Sequence, residues 1–303
     1  MQLGYFGLEV RSIDEWEEFG INVLGLPVSH DGNGTLGFRL DNYARRFVIT
    51  EGPLNSMSFA GFELSDAQAF TTYRQRLEEH GVSVHDSTPG ERTARKVEDC
   101  AWFLEPSGLR FEIFYGPEQA STPFSSPLIG AGFKTDADVG IGHMVICTDD
   151  LAASEDFYTR VLGFDISNRG DVDQRFTAVF TRCNRRHHTV ALCQFRPELP
   201  ITLHNNLAHI MIEAQSMEDV GQVHDRAVRY GVPITMSLGR HPDGIFSFYC
   251  KAPAGIEFEV GAGSVLVDGD DWPIDTWYET SDWGHFSPDG WQLGKPDKSK
   301  PHA

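Results

Sequence analysis

The chain has 303 residues, of which 40% are hydrophobic, and no run approaches the roughly 18 consecutive apolar residues of a membrane-spanning helix. Its net charge is −19, from 25 basic and 44 acidic residues, which argues against nucleic-acid binding because phosphate backbones would be repelled. Five cysteines without CxxC spacing, and a start without the basic and apolar regions of a signal peptide, predict reduced thiols in a cytoplasmic protein.

The first half of the chain opens with a strand and carries the signals of two helices. Leu3–Val10 is the predicted strand. The segments Ser12-Ile-Asp-Glu15 and Ser65-Asp-Ala-Gln68 are typical of capping boxes at helix starts. Gly81 is well placed to end the second helix, because glycine adopts the left-handed backbone that closes a helix. Asn33-Gly34 is typical of a tight hairpin turn.

The second half follows the same succession. Three segments are strand-like: Ile141–Cys147, Ala208–Glu213 and Ile256–Val260. A further helix is predicted to begin at Ser216 and to end at Gly231. The length alone favours two domains of about 150 residues.

Each of these three strand-like segments carries one residue suited to metal binding. Side chains alternate along a strand, so an apolar stripe faces one way and His143, His209 and Glu259 face the other. Two imidazoles and one carboxylate form the set that holds Fe(II) while leaving open coordination positions. Taken singly, each residue is more readily an edge-strand histidine or a solvated glutamate than a metal ligand. Their placement on three strands of one rigid sheet favours a shared metal site.

An internal repeat links the two halves. Val23–Leu26 is answered by Val161–Phe164, and Glu105–Ile113 by Ala252–Val260. Each half further divides into two modules, each a strand, a helix and then more strands.

Alignment of the repeat separates an active half from a structural one. The candidate ligands pair with first-half residues as follows: His143 with Tyr5, His209 with Phe59, and Glu259 with Glu112. The first half keeps only the carboxylate, so it cannot offer the same cation site. The sequence therefore predicts a metal site in the second half alone.

Several further motifs stand in order beside the candidate ligands: Gly142-His143, Cys183–Leu192, His209–Glu213, Leu238–His241, Ser247–Tyr249, Pro253–Glu259 and Trp283–His285. In order and spacing they resemble the type I extradiol ring-cleavage dioxygenases of the vicinal oxygen chelate superfamily. The general likeness is to the 2,3-dihydroxybiphenyl 1,2-dioxygenase group, and it extends from residue 1 to about residue 286.

The repeat and this resemblance predict an α+β fold. We expect two tandem domains, each of two βαβββ modules, whose curled mixed sheets form a barrel-like cup with helices outside. The predicted bounds are 1–135 for a degenerate, non-metal N-terminal domain and 136–286 for a C-terminal catalytic Fe(II) domain. Residues 287–303, rich in Pro, Gly and Lys, are expected to be a poorly ordered tail.

The resemblance also assigns roles to eight side chains. By role they are the metal ligands His143, His209 and Glu259, the catalytic residues His188, Tyr249 and His241, and the substrate-binding residues Phe180 and Asp243. The implied metal is Fe(II), with Mn(II) less favoured. From the residues alone, His188 is equally a strand-end histidine in a basic turn, and Tyr249 is more readily a core aromatic. His285 is interpreted as a tie for the C-terminal segment.

The activity implied by the resemblance is extradiol (meta) cleavage of a catecholic aromatic by O2, giving a 2-hydroxy-oxo-dienoate, in a homo-oligomeric enzyme of aromatic degradation. Two alternatives stay open: a glyoxalase-like metal-dependent lyase or isomerase, and a non-catalytic protein that binds aromatic ligands. The substrate is also open among monocyclic, biphenyl-type and fused-ring diols, because two loops depart from the family pattern. Residues 193–206 form a longer stretch, and the loop at 242–244 is shorter by one residue.

Overall fold

Two mixed β-sheets carry the fold in this computed structural model, which describes residues 1–31, 34–172, 175–196, 205–269 and 271–294. The first sheet contains β1 (Gln2–Val10), β2 (Val28–Asp31), β3 (Thr35–Phe38), β4 (Phe47–Glu51), β5 (Ser56–Glu63), β6 (His85–Asp86), β7 (Val97–Leu104) and β8 (Arg110–Pro117). The second contains β9 (Gly142–Cys147), β10 (Asp165–Val172), β11 (Phe176–Arg182), β12 (Val190–Phe195), β13 (Leu207–Glu213), β14 (Ile234–Arg240), β15 (Phe246–Lys251), β16 (Glu257–Ala262), β17 (Thr276–Trp277) and β18 (Trp283–Gly284). Their spatial orders are β2-β3-β4-β1-β5-β8-β7-β6 and β17-β10-β11-β12-β9-β13-β16-β15-β14-β18.

The helices are short and lie between strands of each module. They are α1 (Ile13–Glu18, continued by a π-helix over Phe19–Leu24), α2 (Ala67–Glu79), α3 (Pro89–Arg95), α4 (Leu151–Asp156, continued by a π-helix over Phe157–Val161) and α5 (Met217–Arg229), with a 3₁₀ turn at Pro253–Gly255. No helix among the described residues is both long and apolar enough to cross a membrane.

Strand pairing follows the sequence repeat closely. β1 runs parallel to β4 and antiparallel to β5, and β9 runs in the same way beside β12 and β13. Gly7 lies opposite Phe59 in the first half, and Val145 lies opposite His209 at the equivalent place in the second. The register therefore agrees with the alignment that pairs the candidate ligands with first-half residues.

Helix ends agree with most of the sequence signals. The Ser12 and Ser216 hydroxyls cap α1 and α5 by accepting backbone N–H groups three residues on. Gly81 (φ +80°) and Gly231 (φ +71°) follow α2 and α5 in the left-handed conformation. The predicted cap of α2 was one residue early, because the Asp66 carboxylate, rather than the Ser65 hydroxyl, accepts the Ala69 N–H at 2.8 Å.

Both halves contribute to one hydrophobic core. The ring of Phe258 on β16 lies 5.9 Å from that of Phe19 and 6.2 Å from that of Phe47. The apolar stripes of β9, β13 and β16 enter this core. The side chains on the opposite faces of these strands can therefore serve a functional site.

The α+β class with two mixed sheets is confirmed. The domain bounds near residue 135 and the barrel-like cup stay predictions. Asn33 of the expected hairpin turn lies outside the described residues. Residues 295–303 of the expected poorly ordered tail lie outside the described residues. Residues 287–294 instead form a turn, in which the Ser287 N–H donates to the Trp291 carbonyl at 2.8 Å and the Leu293 N–H to the His285 carbonyl at 2.9 Å.

Candidate metal centre and substrate pocket

The three predicted metal ligands meet on adjacent strands of the second sheet. Met211 on β13 pairs with His143 on β9 and with Glu259 on β16, and His209 stands two residues along on the same face of β13. The Nε2 atoms of the two histidines are 3.1 Å apart. Glu259 Oε2 is 3.2 Å from His143 Nε2 and 3.3 Å from His209 Nε2. The three atoms thus form one small, nearly regular triangle.

The spacing of this triangle suits a single bound cation. Imidazole nitrogens and carboxylate oxygens lie about 2.1 Å from a divalent metal, so two ligands at right angles are about 3 Å apart. In addition, Glu259 Oε1 is buried without a hydrogen bond among the described residues, and His241 Nε2 lies 3.5 Å from it. His143, His209 and Glu259 could together hold a metal ion.

Protonation of the ligands also fits metal binding, which needs neutral imidazole and ionised carboxylate. Burial lowers the pKa of His143 to about 4, and the neighbouring Glu259 only partly opposes this. Burial alone would raise the pKa of Glu259, but the close contacts of His143, His209 and His241 with its carboxylate outweigh burial and hold that pKa well below its usual value. In the folded chain the pair is therefore neutral imidazole beside carboxylate at neutral pH.

Gly142 allows β9 to approach β13 at this point. Its φ is +139°, and a Cβ atom there would lie 2.0 Å from the Met211 carbonyl oxygen. The glycine before His143 is therefore a packing requirement of the strand pair that carries His143 and His209.

His188 stands beside the candidate metal centre. Its ring centroid is 4.0 Å from that of His143 and 5.1 Å from that of Phe180, and its Nδ1 is 3.7 Å from Asp243 Oδ2. The side chain is 5% exposed, and burial lowers its pKa well below the usual value. A buried neutral imidazole at this place can accept a proton from a bound ligand.

Two residues missed by the sequence reasoning orient His188. The Asn168 Nδ2 donates to the Asp275 carbonyl, which turns Asn168 Oδ1 toward His187 Nε2 at 2.6 Å. His187 Nε2 must then carry the proton, so its Nδ1 is left to accept from His188 Nδ1 at 3.1 Å. Because His188 Nδ1 donates this hydrogen bond, the lone pair of the neutral His188 imidazole lies on Nε2. The adjacent histidines at 187 and 188 were the available signal, but Asn168 comes from distant β10.

Tyr249 and His241 form a second hydrogen-bonded pair at the pocket wall. The Tyr249 hydroxyl is 2.9 Å from His241 Nε2, while His241 Nδ1 contacts the Thr280 carbonyl. Burial lowers the pKa of His241, but Glu259 and Asp243 more than offset this and raise it. His285 stacks on His241 with centroids 4.2 Å apart and is itself held by two serine hydroxyls.

All eight side chains chosen from the sequence line one cavity of about 480 Å³. Its remaining walls include side chains that the sequence reasoning did not single out: Val145, Arg175, Phe176, Ala178, Ala191, Cys193, Phe195, Trp277, Trp291 and Leu293. The signal for two of them, Phe176 and Ala178, was their alternation with Phe180 along β11. Trp291 and Leu293 come from the turn at 287–294, which covers one side of the cavity.

The two loops that depart from the family pattern border this cavity differently. In the loop at 242–244, the Gly244 N–H bonds the His241 carbonyl at 2.9 Å, and this tight turn directs Asp243 into the cavity. The longer stretch lies partly outside the described residues, at 197–204. Its end is tied to the first half, because Asn205 and Asn206 donate to backbone carbonyls of Met57 and Ser107.

The equivalent position in the first half is filled by a guanidinium group. Arg95 donates to both oxygens of buried Glu112, at 2.9 and 3.1 Å, and the Tyr5 hydroxyl donates to Glu112 at 2.6 Å. Arg110 lies 2.7 Å from the same carboxylate, and the ring of Phe59 lies under Arg95. The first half thus retains the carboxylate of the repeat and neutralises it with arginine.

We expect the variant Glu112→Ala to lower the free energy of unfolding by about 3–5 kcal/mol, because it leaves Arg95 buried without its anionic partner. Urea unfolding followed by fluorescence measures this loss. The matched control Asp156→Ala removes an exposed partner of Arg160 and should change stability little. Equal stability losses in the two variants would contradict a buried ion pair at Glu112.

Comparison with known proteins decides the family. Residues 140–260 match the Glyoxalase/Bleomycin resistance protein/Dioxygenase superfamily, and residues 3–52 match the family described as Dihydroxybiphenyl dioxygenase BphC D1. The chain is 36% identical over 292 residues to the biphenyl-2,3-diol 1,2-dioxygenase of Paraburkholderia xenovorans (strain LB400), covering 94% of this chain and 95% of that protein. The chain belongs to the extradiol dioxygenases.

Two further relatives support this assignment. The iron-dependent extradiol dioxygenase of Rhodococcus jostii (strain RHA1) is 32% identical, with 93% of this chain and 96% of that protein covered. The crystal structure of BphC, a halotolerant catechol dioxygenase, superposes with a TM-score of 0.86 at 31% identity over 97% of both chains. This extradiol dioxygenase is therefore an oxidoreductase, and the resemblance recognised from its motifs is confirmed.

Proposed function

We propose that this extradiol dioxygenase cleaves a catechol with O2 at one Fe(II) ion held by His143, His209 and Glu259, giving a 2-hydroxy-oxo-dienoate. The observation that carries the proposal is the triangle of two imidazole nitrogens and one carboxylate oxygen, with edges of 3.1–3.3 Å, at the wall of a cavity. When bound, the ion would bring both oxygens of a catechol and O2 together at its open positions and let electron density pass between them. Mn(II) is the less favoured alternative for the same ligands.

His188 is proposed as the base that takes a proton from the catechol. The hydrogen bonds from His187 to Asn168 and from His188 to His187 leave the lone pair of His188 on Nε2. The imidazole lines the cavity. Because burial keeps the free imidazole neutral, it can receive a hydroxyl proton as the substrate binds. It can return that proton to the product oxygen later in the cycle.

Tyr249 and His241 are proposed to hold the substrate oxygens. Burial and the nearby Glu259 raise the pKa of the Tyr249 hydroxyl well above its usual value, so the hydroxyl stays a donor. His241 is held by the Thr280 carbonyl and by stacking on His285, and its Nε2 is the hydrogen-bond partner of that hydroxyl. The pair can keep one oxygen of the bound ring in a fixed position.

Phe180 and Asp243 are proposed to bind the substrate from two sides. Phe180 packs against both His188 and Trp277, at 5.1 and 5.2 Å between ring centroids, and offers an aromatic wall that excludes water. Asp243 faces His187 and His188 and steadies the imidazole pair. The first half, with its Arg95–Glu112 pair, is proposed to be structural. Cytoplasmic location and homo-oligomeric assembly stay predictions.

A substrate panel tests this function. Anaerobically prepared protein loaded with Fe(II) should consume one O2 per catechol and form a coloured ring-fission product, with the highest turnover for one of the monocyclic, biphenyl-type or fused-ring diols. The control is the same protein treated with a chelator, which should give neither signal. Metal-dependent conversion without oxygen uptake would favour a lyase or isomerase, and catechol binding without turnover would favour a binding protein.

A further inference from the structure

Arg175 is a cation at the edge of an otherwise apolar part of the cavity. It immediately precedes β11, and its side chain lines the cavity beside Phe176, Phe195 and Trp291. The guanidinium carbon lies 5.0 Å from the centre of the Trp291 ring. This cation–π contact places the guanidinium beside the tryptophan, and its N–H groups can donate to a planar acceptor in the cavity.

The carboxylates that line the cavity already contact histidine or lysine side chains. Glu259 contacts three histidines, Asp243 faces His187 and His188, and Glu257 lies 2.6 Å from Lys251 Nζ. Among the residues that the structure describes, Arg175 forms no ion pair. In a chain of net charge −19, an arginine at the cavity wall with no carboxylate partner in the described part of the chain is available to an anionic group of a ligand.

The position of Arg175 defines where on the substrate the opposite charge would lie. Phe180 contacts His188 beside the candidate metal centre, and Phe176 lies four residues away on the same strand and the same face. Four residues of strand extend about 13 Å, which is longer than one aromatic ring. A diol ring at the metal end therefore leaves Arg175 beside a second ring or an arm of similar length.

We propose that Arg175 recognises a carboxylate on the distal part of the substrate, so that this enzyme prefers catechols that carry an anionic second ring or arm. The proposal rests on the proposed catechol cleavage. A carboxylate can accept two parallel hydrogen bonds from a guanidinium edge, and the apolar surroundings strengthen them. The small side chains Ala178, Ala191 and Cys193 leave width for the intervening ring.

Paired substrates with and without the charge test the proposal. The probes are biphenyl-2,3-diol and the same diol with a 4′-carboxylate, and the measured quantity is the ratio of their kcat/KM values by oxygen uptake. In the wild type this ratio should favour the carboxylate. The variant Arg175→Met should lower it about 10- to 100-fold, because a hydrogen-bonded charge pair is lost. Arg175→Lys should recover part of it.

Arg196→Met is the matched control. Arg196 is a nearby arginine that pairs with Asp171 and does not line the cavity. Its loss should therefore leave the ratio of the two kcat/KM values unchanged. An unchanged ratio in Arg175→Met, an equal fall in Arg196→Met, or a wild type that cleaves only the neutral diol would overturn the carboxylate proposal. A wild type that cleaves neither diol, nor any catechol of the panel, would overturn the proposed function itself.

Discussion

The variant His143→Ala should contain almost no bound metal after loading, and its ring cleavage should fall to the background rate. His143 supplies one corner of a triangle whose edges are 3.1–3.3 Å, and alanine leaves only two ligand atoms at the site. A catalytic metal contributes several kcal/mol to transition-state stabilisation, so we expect a loss of at least about 10³-fold in kcat. Metal analysis of the loaded protein, together with oxygen uptake, measures both effects.

The same substitution should leave the fold intact. His143 lies on the face of β9 opposite to the core residues Met144 and Ile146, so its loss removes no core contact of that strand. Circular dichroism should therefore match the wild type. His30→Ala, which removes an exposed histidine paired with Glu17, is the control and should keep one metal per chain. Stoichiometric metal and normal turnover in His143→Ala would exclude this histidine as a ligand.

The ligand triangle could be predicted because strand geometry is regular. The alternation of side chains along each strand predicted which face each candidate occupies. The repeat predicted that the three candidates belong to one site of the second half, since Tyr5 and Phe59 occupy the positions equivalent to His143 and His209. Both rules depend only on local spacing along the chain. Tertiary contacts were not needed to choose these side chains.

The supporting side chains could not be predicted in the same way. Asn168 reaches His187 from a strand that precedes it by nineteen positions, and its role depends on an amide orientation set by the Asp275 carbonyl. Arg95 reaches Glu112 from α3, a helix that was not predicted. Such partners are set by how elements pack, and no periodic pattern in the sequence encodes them.

The end of the cavity near Trp291 could not be predicted from composition. Composition suggested a poorly ordered tail after residue 286, because Pro, Gly and Lys are frequent there. Backbone hydrogen bonds from Thr280 to Gly294 and from Leu293 to His285 fix residues up to 294 against the site instead. A few such bonds outweigh the average tendency of a segment, and they bring Trp291 to Arg175.

The variant His188→Gln should bind metal and catechol normally but turn over about 10²- to 10⁴-fold more slowly, which is the usual contribution of a general acid–base group. Glutamine is neutral and similar in size, but it has no lone pair of comparable basicity. His188 is not a corner of the ligand triangle of His143, His209 and Glu259, so the metal content should stay at one per chain. The effect should appear in kcat, with KM changed only a few-fold, because the wall formed with Phe180 is kept.

Anaerobic catechol binding separates this proton-transfer role from a purely structural one. If the imidazole only fills space beside His143, glutamine should preserve both binding and turnover. If it instead supports the metal, binding and metal content should fall together with kcat, as they do for His143→Ala. Only the proton-transfer role lowers kcat while the metal and the catechol stay bound. The hydrogen bonds from Asn168 through His187 place the lone pair of His188 on Nε2, and a glutamine amide offers no base of comparable strength.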